Sequence, residues 1–166
     1  MFKTLFGSSS TEGSTKEPSP TKEPSLLERL KAGVQKTRAA ALGLSVLGIK
    51  PDVMITSPFV RAAQTAEIFA ETLGFAPAKI RVHDALKPAG NPAEIVKEVV
   101  GLRAKEVMCF GHAPQLDLMI AHLLGARGAV TELKKAGVAC FEHTAARGKW
   151  NVRWLVTPKM LRQLAE

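Results

Sequence analysis

Apolar positions follow a regular pattern from residue 26 onward and are almost absent from the stretch before it. Leu26, Leu27, Leu30, Val34, Ala41, Leu44 and Leu47 recur at mostly helical spacing, which predicts an amphipathic helix. Ser25 can cap it, with Glu28 three residues later completing a capping box, and Gly48 can end it. Asp52 to Thr56 is a short β-branched apolar run of the kind that forms a strand covered on both faces. Pro58 follows where a first-turn proline is favoured, and the helical pattern then runs to Leu73 before Gly74. The alternation continues with a strand over 79–83, a helix over 92–100, a buried strand over 106–110 and a helix over 114–124. Strands over 137–143 and 149–156, joined by a turn at Arg147-Gly148, and a short helix over 158–165 complete the pattern. Strands alternating with helices predict an α/β domain with a largely parallel sheet flanked by helices. Ligands of such sheets sit beyond the carboxyl ends of the strands, where Ser57–Arg61 and Gly111–Pro114 lie.

Residues 7–25 have a different composition, nearly all Gly, Ser, Thr, Lys, Glu and Pro, and Thr15-Lys16-Glu17-Pro18-Ser19 recurs as Thr21-Lys22-Glu23-Pro24-Ser25. Such a stretch cannot bury enough apolar surface to offset the entropy of ordering. The expected organisation is therefore a segment 1–25, with a short strand candidate at Phe2–Phe6 and a flexible arm after it, then a folded domain over 26–166.

Composition narrows the function classes. The chain has 166 residues, 46% of them apolar, which suits one domain with a real core. Its formal charge of +8 favours anionic partners: phosphorylated molecules, nucleic acid or acidic proteins. The basic residues are scattered and aromatic residues make up only 5%, so a stacking platform for nucleic acid is not expected. Cys109 and Cys140 lie in apolar runs without metal-ligand spacing and read as reduced core thiols. No apolar run approaches the roughly 18 residues needed to span a bilayer, and Met1–Phe6 is too short for the apolar part of a signal peptide, so a cytoplasmic protein is expected.

Two segments carry candidate chemistry. Thr56-Ser57-Pro58-Phe59-Val60-Arg61-Ala62-Ala63-Gln64-Thr65-Ala66 follows a buried strand and opens a helix. A helix N-terminus offers unpaired N–H groups and partial positive charge, so it favours anions. Arg61 near that end opposes the helix dipole, which makes sense where a phosphate lies between them. The plain alternative is a solvated arginine, or one paired with Glu67 or Asp52. Phe110-Gly111-His112-Ala113-Pro114 is again strand, tight turn and helix. There His112 could donate to an anion or transfer a proton, or simply cap the next helix. His83 could reach the rim of the same site, while His122 and His143 read as structural. Met54, Met108, Met119, Trp150 and Trp154 read as core or strand-face residues. No metal and no cofactor is expected.

Together, Ser57-Pro-x-x-Arg61-Ala-x-Gln-Thr-Ala and the later strand ending in Gly111-His112-x-Pro114 resemble the histidine phosphatase superfamily, the phosphoglycerate-mutase-like fold. Leu47–Asp52, the Leu86–Gly90 turn and Glu132–Ala139 are similar to its small SixA branch, whose members act on phosphohistidine in proteins. The resemblance covers roughly residues 33–164. It implies a three-layer domain in which strands near 52–56 and 106–110 neighbour the first strand, and a phosphorylated protein or small phospho-compound as partner. It further implies that Arg61 and His112 are catalytic and phosphate-binding residues, with the backbone after Ser57 shaping the pocket rim. Asp84 lies where larger members carry an acid. Members open with a strand followed by Arg-His-Gly, whose histidine is the phosphoryl-accepting nucleophile. Here no histidine precedes His83, and Phe2-Lys3-Thr4-Leu5-Phe6 leads instead into Gly7-Ser8-Ser9-Ser10. A serine without an activating base is a poor substitute, so an impaired or inactive phosphatase is expected.

Overall fold

The computed structural model describes residues 25–144 and 148–166. The strand candidate at 2–6, the arm and the Arg147 side of the predicted turn lie outside the described residues.

The first helix, α1, spans Leu26–Val46. Ser25 Oγ accepts from the Glu28 N–H at 3.3 Å while Glu28 Oε2 accepts from the Ser25 N–H at 2.6 Å, forming the reciprocal capping box. These bonds hold the Glu28 carboxyl below its ordinary range. The helix ends at Leu47, and Gly48 takes the left-handed conformation (φ 74°) that favours glycine after a helix. Ala40, Ala41 and Leu44 form its buried face. Gly43 faces the backbone of the last helix so closely that a Cβ there would lie 2.0 Å from the Leu161 carbonyl oxygen. Any side chain at 43 would push α1 away from that helix.

The strands β1 (Val53–Thr56), β2 (Arg81–Val82) and β3 (Val107–Phe110) form a parallel sheet in the order β2-β1-β3. Thr56 pairs with Val82 on one side and Phe110 on the other, so all three strands finish level with one another. Between them run α2 (Val60–Leu73), α3 (Pro92–Gly101) and, after β3, α4 (Gln115–Leu123). Adjacent β1 residues point to opposite faces, as a strand requires. Met54 joins Ala66, Phe69 and Ala70 of α2 and Ala40, Ala41 and Leu44 of α1, while Ile55 joins Leu86, Ile95 of α3 and the flanking Leu116 and Met119 of α4. Phe69 meets Phe110 edge to face at 5.4 Å. The sheet is thus covered on both faces, which is the three-layer arrangement expected.

Three expectations need correction. Pro58 lies outside α2, whose N-cap is Phe59, because the chain is still extended where it leaves the sheet. Lys79 belongs to a short 3-10 turn over Pro77–Lys79, which leaves β2 only two residues long. The segment 53–56 already has a strand on each edge, so a further parallel neighbour can be accommodated beside β3 but not beside β1. The remaining strands, β4 (Val138–Thr144) and β5 (Lys149–Val156), pair only with each other among the described residues, antiparallel and with an irregularity at Cys140/Phe141. Val138, Trp154 and Val156 still pack on the α1-side cluster, as does Leu161 of the closing helix α5 (Pro158–Leu164).

Candidate phosphoryl-binding site

The level ends of the three strands bring three exits together. The Ser57 N–H donates to the Phe110 carbonyl at 2.9 Å and the His83 N–H donates to the Thr56 carbonyl at 2.9 Å. These bonds continue the ladder past the strands and set His83, Ser57 and Gly111 side by side.

At the β1 exit the chain turns into α2. Ser57 is fully buried, and its Oγ accepts from the Phe59 N–H at 3.3 Å. Its own N–H is engaged with β3, so Ser57 braces the turn from beneath. Phe59 occupies the N-cap and offers no capping atom. Its carbonyl accepts from Ala62 and Ala63, whereas the Val60 and Arg61 N–H groups have no acceptor among the described residues. Arg61 is exposed in the first turn, where an acid is the residue that suits the helix dipole. Its pairing with Glu67 or Asp52 is not realised, and the guanidinium is solvated. Among the described residues Arg61 makes no salt bridge, and the Asp52 carboxylate accepts instead from the Lys105 and Glu106 N–H groups.

At the β3 exit, Gly111 lies against the β2 side of the site. A Cβ there would sit 3.1 Å from the Leu86 carbonyl oxygen and 3.3 Å from Gln115 Oε1. The His112 imidazole stands against the Phe59 ring, with centroids 5.3 Å apart and planes 57° apart. Burial pushes the His112 pKa down, and the Arg61 guanidinium nearby pushes it further the same way. Phe59, two residues before Arg61, thus brings the start of α2 against His112. Among the described residues, His112 Nε2 and Gln115 Oε1 are buried without a partner. Buried polar atoms are nearly always hydrogen-bonded, so two orphans in one turn mark a place that an outside group can complete.

Sequence reasoning missed Gln115. It is fully buried at the start of α4, and its Nε2 donates to the Ala85 carbonyl at 2.7 Å, tying the His83–Leu86 turn to the His112 turn. Its only signal was an amide at the head of an apolar helix. His83 does stand at the strand ends, but its Nδ1 accepts from the Ala85 N–H at 3.1 Å, which gives it a local capping role. Asp84 pairs with Lys87 at 2.9 Å on the surface. His122 is exposed rather than packed, and His143 stacks on Trp150 at 4.8 Å. Cys109 is packed with the Ile55 cluster, and desolvation pushes its thiol up to about 12. Two shallow hollows flank His122, one bordered by Asn91 and Arg127 and the other by Lys149 and Trp150; neither contains Arg61 or His112.

The histidine phosphatase superfamily (branch 1) family model matches residues 31–89, a stretch that includes the whole β1 exit and Arg61. An uncharacterised protein of Picosynechococcus sp. is 33% identical over 120 residues, covering 69% of this chain and 71% of its own length. The chain belongs to the histidine phosphatase superfamily. Solved structures agree on the fold. The protein histidine phosphatase SixA complexed with tungstate superposes with a TM-score of 0.71 at 22% identity, over 78% of this chain and 83% of that one. A SixA-type protein from Agrobacterium tumefaciens gives 0.61 at 17% identity, over 77% and 84%. A mycobacterial glucosyl-3-phosphoglycerate phosphatase with inorganic phosphate gives 0.62 at 16%, over 78% and 87%. No helix among the described residues is long and apolar enough to cross a membrane.

Proposed function

We propose that this histidine phosphatase superfamily chain is a SixA-like phosphohistidine phosphatase in ancestry that now binds phosphoryl groups and turns them over slowly or not at all. The observation that carries the binding half is the α2 N-terminus beside His112, where among the described residues the Val60 and Arg61 N–H groups have no acceptor and the Arg61 guanidinium has no acidic partner. A phosphate supplies what that arrangement lacks: acceptors for the N–H groups and negative charge for the cation. In this reading Arg61 and His112 contact the phosphoryl group, and Ser57 holds the turn that presents them. The proposed domain is residues 26–166, preceded by the segment 1–25 with its strand candidate, and its partner is a phosphorylated protein or a small phospho-compound in the cytoplasm.

The catalytic half rests on the sequence. A covalent phosphatase needs a strong nucleophile in fixed geometry, and no histidine precedes His83. Loss of such a residue commonly costs several orders of magnitude, leaving what binding and electrostatics supply. That same feature favours the second reading, a non-catalytic phosphoprotein-binding module. Turnover of a chromogenic phosphomonoester and of a phosphohistidine protein should be near background, and should rise only in a folded variant with Arg-His-Gly grafted after Phe6. Robust turnover by the unmodified chain, abolished by His112→Ala, would overturn the proposal.

A further inference from the structure

We infer that Gln115 is a positioning residue for His112: its side-chain oxygen holds the imidazole by Nε2–H, which leaves Nδ1 as the ring nitrogen that meets the phosphoryl group. The inference rests on the phosphoryl-binding reading of the Arg61–His112 site and adds which atom of His112 acts there and what fixes it.

Gln115 is fully buried at the first position of α4, where an amide needs partners at both ends. One end is settled. A carbonyl oxygen can only accept, so the 2.7 Å bond to the Ala85 carbonyl identifies the amide nitrogen and turns Oε1 the other way. The Ala85 peptide is itself held. Its N–H donates to His83 Nδ1 at 3.1 Å, and Gly90 lies so close that a Cβ there would come within 2.1 Å of the Ala85 carbonyl oxygen. Rotating the Gln115 amide therefore breaks a run of contacts that reaches back to the β2 exit. Its Oε1 is a buried acceptor without a donor, and His112 Nε2 is the other buried polar side-chain atom without a partner among the described residues. The two are complementary, since a neutral imidazole can carry its proton on Nε2 and an amide oxygen only accepts. They also lie three residues apart in one turn, which the Leu116 N–H closes onto the His112 carbonyl at 2.9 Å. Side chains at that spacing share a face. A hydrogen bond from Nε2–H to Oε1, direct or through one water, satisfies both. His112 Nδ1 is not enclosed as Nε2 is and makes no hydrogen bond among the described residues, so it is the nitrogen open to a ligand. When phosphate binds, Nδ1 takes a proton from solvent and donates it in a hydrogen bond to a phosphoryl oxygen, while Nε2–H stays on Gln115.

The experiment follows the His112 ring nitrogens by NMR in the full chain, with inorganic phosphate as the probe. In the unmodified chain at about pH 7.5, above the ordinary histidine value, Nε2 should carry the proton and phosphate should protonate Nδ1. Gln115→Leu keeps the volume without a polar atom. It should let the Nδ1–H tautomer appear and lower the His112 pKa further, because the imidazolium loses an acceptor. It should also weaken phosphate binding about two- to tenfold, the worth of one hydrogen bond. Gln115→Glu offers a stronger acceptor and should raise the His112 pKa above that of the unmodified chain. A merely structural role has the opposite sign in Gln115→Leu: a looser turn hydrates the imidazole and raises its pKa, since burial is the main cause of its depression. That rise overturns the inference, as does a proton found on Nδ1 in the unmodified free chain. A melting curve checks that each variant folds; should Gln115→Leu not fold, a His112 pKa left unchanged by Gln115→Glu overturns it instead. Failure of phosphate to bind the unmodified chain overturns the phosphoryl reading of the site, and the tautomer and the order of the pKa values still decide whether Gln115 holds His112.

Discussion

The N-termini of α1 and α2 solve the same problem in opposite ways. Each helix leaves its first N–H groups without intrahelical partners and gathers partial positive charge there. At α1 the chain answers with its own atoms: Ser25 and Glu28 bond reciprocally, and an acid sits in the first turn. The α3 and α5 termini do likewise with Asn91 and Thr157. At α2 an aromatic takes the cap, no acid occupies the first turn, and Arg61 adds charge of the wrong sign. The helix after β3, α4, also lacks a side-chain cap. The two uncapped helices are the two that leave the sheet at the candidate site. What is locally a defect at α2 becomes favourable once an anion from outside the chain supplies the missing acceptors.

Substitutions at the two termini should therefore have opposite signatures. The largest effect is expected for Arg61→Ala. It should weaken phosphate binding by about ten- to a hundredfold, the worth of a charge-assisted bond. The same change should leave the free protein equally stable or raise its stability by a few tenths of a kcal/mol, since it removes a cation opposing the helix dipole. Calorimetric titration together with a denaturant curve reads both quantities. A loss of binding accompanied by an equal loss of stability would make Arg61 a structural residue.

Ser25→Ala should do the reverse. Removal of a capping oxygen costs about 1 kcal/mol of stability, while phosphate affinity should stay within a factor of two. A drop in phosphate affinity in this variant would show that α1 and the site are coupled.

The smallest effect is a pH dependence. The folded pKa of His112 is depressed below its unfolded value near 6.5, so between those two values the unfolded chain binds more protons. Stability carried by His112 is thus fully present above about pH 6.5 and is lost as pH falls through the folded value. Bound phosphate places an opposite charge beside the imidazole and should move its pKa upward. NMR titration of His112 with and without phosphate checks both directions. Stability curves of the His112→Gln variant should be flatter over the same window.

Much of the fold was legible because it rests on local rules. The capping box at Ser25 and Glu28, the left-handed Gly48 after α1, and the short apolar runs that became β1 and β3 follow from spacing and residue type alone. Prolines were less reliable guides. Pro58 suits a first helical turn, but the pairing of Ser57 with Phe110 keeps the chain extended two residues longer. At β2, pairing with β1 limits the strand to Arg81–Val82, although the apolar pattern begins earlier. His122 lies between apolar residues in the sequence, yet a helix turns successive positions to different faces, and it lies exposed. The site was legible in part. Arg61 and His112 stood out because each follows a strand and opens a helix, whereas Gln115 and Phe59 carried no motif.

The sequence by itself determined the order of elements, the cap of α1, the covered character of β1 and β3, the two strand-exit motifs and the lack of any histidine before His83. Each depends on neighbours within a few residues, or on residue identity. Only the tertiary structure decided that β1 lies between β2 and β3, that Gln115 ties the Ala85 turn to the His112 turn, and that the Phe59 ring leans on His112. These contacts join residues 26 to 54 positions apart. They arise from strand order and from side chains meeting across separate elements, which no periodicity along the chain encodes.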